Sequence, residues 1–75
     1  MPVHEIGPQI QTLTGINVRA KDHAGKYVTV SASHEAIADC GWPSIWSAAS
    51  SMYDAGEYET IKSVPVIRVT TGNCR

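Results

Sequence analysis

The sequence predicts an α+β domain in which one antiparallel sheet of three strands is covered on one face by two helices, in the order β-β-α-α-β. Three observations predict it. Residues 16–21 and 27–32 alternate apolar and polar around a glycine-bearing gap, residues 34–55 change to helical spacing, and residues 64–71 return to alternation. A period of two marks a half-buried strand and a period near 3.6 an amphipathic helix. Helices that each bury one stripe and a sheet that buries one face are satisfied together when both helices share one side of the sheet.

Residues 1–14 carry Pro2, Gly7 and Pro8 without a sustained period, which reads as an extended N-terminal arm with at most a short edge strand over Gln9–Leu13. From residue 15 the domain proper begins and runs to residue 71, leaving 72–75 as a tail. Ile16, Val18 and Ala20 alternate with Asn17, Arg19 and Lys21. Asp22-His23-Ala24-Gly25 then forms a hairpin loop, with glycine free to take a positive φ. Val28, Val30 and Ala32 alternate with Tyr27, Thr29 and Ser31 as the second strand.

Ser33 is the expected N-cap of a short helix from His34 to about Cys40, because its hydroxyl can accept from the free amides of the first turn. Glu35 in that turn suits the positive end of the helix dipole. Gly41 ends this helix, and Pro43 starts a second one, where its fixed φ and missing N–H are tolerated. Ile45, Trp46, Ala49, Met52 and Tyr53 make the apolar face of the second helix, and Ser44, Ser47, Ser50, Ser51 and Asp54 the polar one. Gly56 stops it. Residues 57–63 read as a polar turn. In the last strand Ile67 and Val69 face one way and Val66, Arg68 and Thr70 the other, and Pro65 marks its start or a sheet edge. With no phenylalanine in the chain, Trp42 and Trp46 are expected to supply much of the core.

The run VTVSASHEAI, then AASSMYDAGEYE, then a closing VIRVTT strand resembles the small bacterial family known as domain of unknown function 1488. The matching residues are Ser33, Glu35 and Ala36 at the first helix start and Ala49, Ser50, Tyr53, Asp54 and Gly56 at the second helix end, with Trp42 and Trp46 between them. The chain departs from that pattern at Met52, where a lysine is expected, and in a short helix–helix link, Gly41-Trp42-Pro43. The resemblance implies the fold and brings no activity with it; Tyr53 and Asp54 are expected to serve packing and the turn around Gly56.

Seventy-five residues allow one domain with a small core, for which oligomerisation is a common remedy. The net charge is −1, which provides no global field for nucleic acid or anionic membranes. No apolar run reaches membrane-spanning length, and MPVHEIGPQIQ lacks the basic and apolar regions of a secretory signal. The expected compartment is the cytoplasm, with Cys40 and Cys74 as reduced thiols.

His4, His23, His34, Cys40 and Cys74 form no metal-ligand spacing, so neither metal nor cofactor is expected. No nucleophile elbow or phosphate loop is present, and no catalytic residue is assigned. The informative asymmetry is in charge. No lysine or arginine occurs from Tyr27 to Ile61, a stretch that holds Glu35, Asp39, Asp54, Glu57 and Glu59. By strand parity Arg19, Lys21 and Arg68 share the outer sheet face with Tyr27. The sequence therefore leads to a non-enzymatic interaction or accessory module that associates with itself as a dimer, or with another protein. The alternative is weak binding of single-stranded nucleic acid by Arg19, Lys21, Tyr27 and Arg68. A helix-turn-helix reading fails, because residues 43–55 hold no Arg, Lys, Asn or Gln to read base edges.

Overall fold

The computed structural model describes residues 4–74, with side chains from Ile6 onward; residues 1–3 of the expected arm and Arg75 of the expected tail lie outside the described residues. Seven elements follow one another: β1 (His4–Gln11), β2 (Gly15–Lys21), β3 (Tyr27–Ser33), α1 (His34–Cys40), α2 (Trp42–Asp54), β4 (Glu59–Ile61) and β5 (Val64–Val69). The strands form a single mixed sheet in the order β1-β2-β3-β5-β4.

This corrects the expected three-stranded antiparallel sheet in two places. The segment before residue 15 contributes a full edge strand, β1, paired antiparallel to β2 with an irregular register between Glu5 and Gln9, where Gly7 and Pro8 lie. The expected polar turn at 57–63 contains β4, a three-residue strand that pairs antiparallel with β5. The expected antiparallel direction of the last strand is corrected as well. α1 begins where β3 ends and α2 ends beside the β2–β3 loop, where Tyr53 meets Asp22, so the two helices return the chain once along the sheet. β4 continues in that direction, and the hairpin after it sends β5 parallel to β3. Pro65 is compatible with this interior position because β3 pairs with β5 only from Val66 onward.

The helix starts follow their caps. Ser33 Oγ accepts from the Ala36 amide at 3.1 Å, as its place before a helical run predicts. Gly41 is shared by both helices: its amide donates to Ile37 O and its carbonyl accepts from the Ile45 amide, each at 3.1 Å. It does so at φ 80°, a conformation that a side chain would oppose. That single residue turns the chain from α1 into α2.

The core lies between the inner sheet face and the helices. Val18, Ala20, Val28, Val30, Ala32, Ile67 and Val69 meet Ala36, Ile45 and Ala49, all essentially inaccessible. The alternation in β2, β3 and β5 thus places the expected residues inside. The tryptophans do not fill the centre. Trp42 and Trp46, with ring centroids 6.1 Å apart, pack half-buried against its margin, and Ile45 between them is the largest fully buried side chain of α2. Ser50, assigned by spacing to the polar face, is buried.

The expected free thiols are not seen: Cys40 and Cys74 form a disulfide. Cys40 closes α1, and the turn after β5 brings Cys74 to it. Asn73 holds that turn, its Oδ1 accepting from the Thr70 amide at 2.7 Å and its Nδ2 donating to Arg68 O at 3.2 Å. Cys74 is thereby part of the buried core cluster.

Candidate functional site

With both helices on the inner side, the outer face of the sheet is uncovered, and strand parity decides what it displays. Antiparallel partners that stand opposite each other project to the same face. Asn17 pairs with Ser31, Arg19 with Thr29 and Lys21 with Tyr27. Across the parallel ladder Thr29 stands beside Val66 and Ser31 beside Arg68, and Val66 in turn faces Glu59. One transverse row therefore runs Arg19, Thr29, Val66, Glu59 over four strands.

These side chains border an open hollow of about 650 Å³, closed at one end by Thr12 and Thr14 of the β1–β2 turn and at the other by Ile61 of β4 and Lys62 of the β4–β5 turn. Beside it Ile6, Ile10, Arg19 and Tyr27 frame a second depression of about 380 Å³ against β1. Ile6, Ile10, Tyr27 and Ile61 are all substantially exposed, so the face is apolar as well as basic.

All four residues singled out for binding, Arg19, Lys21, Tyr27 and Arg68, lie on this face, but they do not form one free basic patch. The Lys21 ammonium sits 5.0 Å from the centroid of the Tyr27 ring, a cation–π contact that occupies an aromatic surface. Arg68 Nε donates to Glu59 Oε1 on the neighbouring strand, so its charge is matched. Both partners are well exposed, and such a pair adds little stability while removing much of the local positive field. Glu59, Ile61, Val64, Lys62, Ile6 and Ile10 belong to the face and were not assigned to it from sequence. The signal for the first three is alternation across a two-residue turn, Glu59-Thr60-Ile61 and Val64-Pro65-Val66. Lys62-Ser63 lacks the Asn-Gly or Asp-Gly signature that marks such hairpins.

The other motif residues lie elsewhere. Glu35 is exposed in the first turn of α1, Asp54 is exposed at the end of α2, and Gly56 follows as its amide donates to Tyr53 O. Tyr53 and Asp22 form the polar centre of the helical end. Asp22, only 6% exposed, accepts at Oδ1 from the Ala24 and Lys26 amides and at Oδ2 from the Tyr53 hydroxyl at 2.6 Å. The hydroxyl of Tyr53 and then the Lys26 amide hold the carboxyl below its ordinary value near 3.8. The same bond to Asp22, and then burial, push the Tyr53 phenol up to about 12. Every oxygen of this group is directed at fold-holding partners, which leaves it a clamp and not a reaction centre. Among the described residues no three of His, Cys, Asp and Glu come together as a metal site, and no helix is long and apolar enough to cross a membrane.

No protein-family model matches the chain, and no curated protein or solved structure shows significant similarity to it.

Proposed function

We propose that this protein is a non-enzymatic interaction module whose working surface is the outer face of the sheet. The observation that carries this reading is the placement of both helices on one side, which leaves Ile6, Ile10, Tyr27, Ile61 and Val66 around an open hollow rimmed by Arg19, Lys62 and Arg68. A chain that needs only to shield its core can make the outer face polar throughout. Exposed apolar groups within a polar rim are instead the composition of a protein contact surface.

Single-stranded nucleic acid is the weaker reading. It needs free cations beside free aromatic faces, whereas Arg68 is matched by Glu59 and the aromatic ring of the face, Tyr27, is engaged by Lys21. We also propose kinship with domain of unknown function 1488, supported by the run from Ser33 to Gly56.

The test is site-specific photocrosslinking in the source cell, with a photoreactive phenylalanine analogue placed at Thr29 in one variant and at Ser47, on the exposed side of α2, in another. Adducts from Thr29 and none from Ser47 are expected. The opposite pattern overturns the assignment of the surface.

A further inference from the structure

Resting on the outer-face reading, we infer that the occupant of this face is a second copy of the same chain, related by a two-fold axis that lies along the strands between β3 and β5. The register supplies the argument. A two-fold rotation about that axis exchanges β3 with β5 and β2 with β4, while keeping each cross-sheet row in its row. In the row Arg19, Thr29, Val66, Glu59, it lays Arg19 of each copy over Glu59 of the other, and Thr29 over Val66. In the adjacent row it lays Ser31 over Arg68. On the other side of the central row, the Lys21–Tyr27 pair meets the Val64–Ile61 pair, so the Tyr27 ring gains an apolar neighbour.

The alternative in-plane axis, across the strands, places β2 over β2 and brings Arg19 onto Arg19. Juxtaposed like charges oppose association, so the register selects the strand-parallel axis. Glu59 can serve both arginines. A carboxylate accepts at two oxygens, and Arg68 of its own chain takes Oε1, so Oε2 is open to Arg19 of the other copy. Face pairing is also favoured over edge pairing. β1 is interrupted at Gly7-Pro8 and β4 is three residues long, and both features blunt a sheet edge.

The size of the face sets the strength. About this axis β1 overhangs, and β2, β3, β5 and β4 of each copy overlap, which at about 3.3 Å per residue and about 4.8 Å between strands presents roughly 360 Å² per copy. Two copies then bury about 730 Å², the small end of the range, which weak, transient contacts occupy. A weak, concentration-dependent dimer follows, with a midpoint on the order of hundreds of micromolar.

Sedimentation velocity from about 5 to about 500 µM tests it with three proteins: the native chain, Arg19→Glu and Glu59→Arg. The native chain moves progressively from monomer toward dimer across this range. Each single variant sets like charges together twice in its own dimer and loses at least about tenfold in self-affinity. Mixed one to one, the two variants pair again, because both contacts between positions 19 and 59 in the mixed dimer once more join a carboxylate to a guanidinium. Circular dichroism melts of both variants, altered only at exposed positions, verify that they are folded. A native chain that stays monomeric at the highest concentration overturns the inference, as do variants that dimerise undiminished or a mixture that does not pair. Crosslinking separates the two levels: an outer-face adduct of another mass retains the module and rejects the second copy, and no outer-face adduct rejects both.

Discussion

The Tyr53 hydroxyl donates to Asp22 Oδ2 across 31 residues of sequence and so fastens the last turn of α2 to the loop between β2 and β3. The other oxygen of the same carboxylate accepts from the Ala24 and Lys26 amides and shapes that loop. One buried acid therefore sets the local turn and anchors the helix layer to the sheet. The Tyr53 ring is steadied in turn by Tyr58, with ring centroids 5.3 Å apart.

Removing the hydroxyl tests this clamp. Tyr53→Phe keeps the ring on the core and leaves Oδ2 without its phenolic donor. Because hydrogen bonds to charged groups are among the stronger ones, the melting temperature at pH 7 is expected to fall by about 5–10 °C. Asp22→Asn is expected to cost more, since the amide retains one acceptor oxygen where the carboxylate uses two. Thermal melts followed by circular dichroism measure both; a Tyr53→Phe melt equal to that of the native chain contradicts the clamp.

The same pair fixes the pH dependence at both extremes. Asp22 is held below its ordinary value, so its contribution is present above about pH 4 and is lost as pH falls through the lowered value. Tyr53 is raised from 10.0 to about 12, so its contribution is complete below pH 10 and is lost as pH rises from 10 to about 12. Urea midpoints across this range are expected to fall at both ends. Tyr53→Phe is expected to flatten the alkaline fall between pH 10 and 12 and to leave the rest of that limb in place.

The sequence was legible where side-chain period and local caps decide the outcome. β2, β3, both helices, Ser33 as cap and Gly41 as hinge follow from neighbours within four residues, and the inner residues of three strands follow from alternation. What escaped depends on contacts distant in sequence. β4 consists of Glu59-Thr60-Ile61, all exposed, and carries no burial pattern of its own; only pairing with β5 makes it a strand. The parallel direction of β5 depends instead on α1 and α2 making a single return pass, which the contact of Tyr53 with the β2–β3 loop shows and no local pattern does. The four binding candidates fall on one face by parity alone, but the Arg68–Glu59 pair that removes part of its basic character is set by the β4–β5 register. The Cys40–Cys74 bridge likewise requires the turn after β5 to fold back onto α1.

That bridge closes a loop with a sequence separation of 34, and chain entropy assigns about 3–4 kcal/mol to a loop of this length. A domain of this size has only roughly 4–11 kcal/mol in all. Cys40→Ala combined with Cys74→Ala, or treatment of the native chain with a dithiol, is therefore expected to lower urea stability by about that amount. A loss below about 1 kcal/mol in the double variant shows that the bridge does not constrain the unfolded chain as inferred.

The β4–β5 turn offers the opposite effect. Lys62 and Ser63 both adopt positive φ, 51° and 67°, in a two-residue hairpin connection. That is the type I′ conformation, which Asn-Gly takes with far less steric cost. Lys62→Asn with Ser63→Gly is expected to stabilise the chain by about 1 kcal/mol, measured as a higher urea midpoint at unchanged slope. It leaves Glu59 and Val66 in register, so self-association is expected to persist.

Gly15 provides the strictest test of the sheet itself. It begins β2 opposite Ser33, and Thr12 clasps it from the preceding turn: the Thr12 amide donates to Gly15 O at 2.7 Å, and Thr12 Oγ1 accepts from the Gly15 amide at 3.1 Å. A Cβ at this position would lie 2.0 Å from Ala32 O and 2.8 Å from Ala32 C. Both are backbone atoms of β3, which cannot yield without parting the β2–β3 ladder at the point where β3 passes into α1. Gly15→Ala is therefore expected to destabilise by about 3 kcal/mol or more, at the upper end for a single substitution. Gly7→Ala is the control: its Cβ would meet only Arg19 Cβ at an ordinary 3.6 Å, and a change within about 0.5 kcal/mol is expected. Urea unfolding of the two variants side by side reads the difference, and equal stabilities contradict the β2–β3 register on which the outer-face row from Arg19 to Glu59 depends.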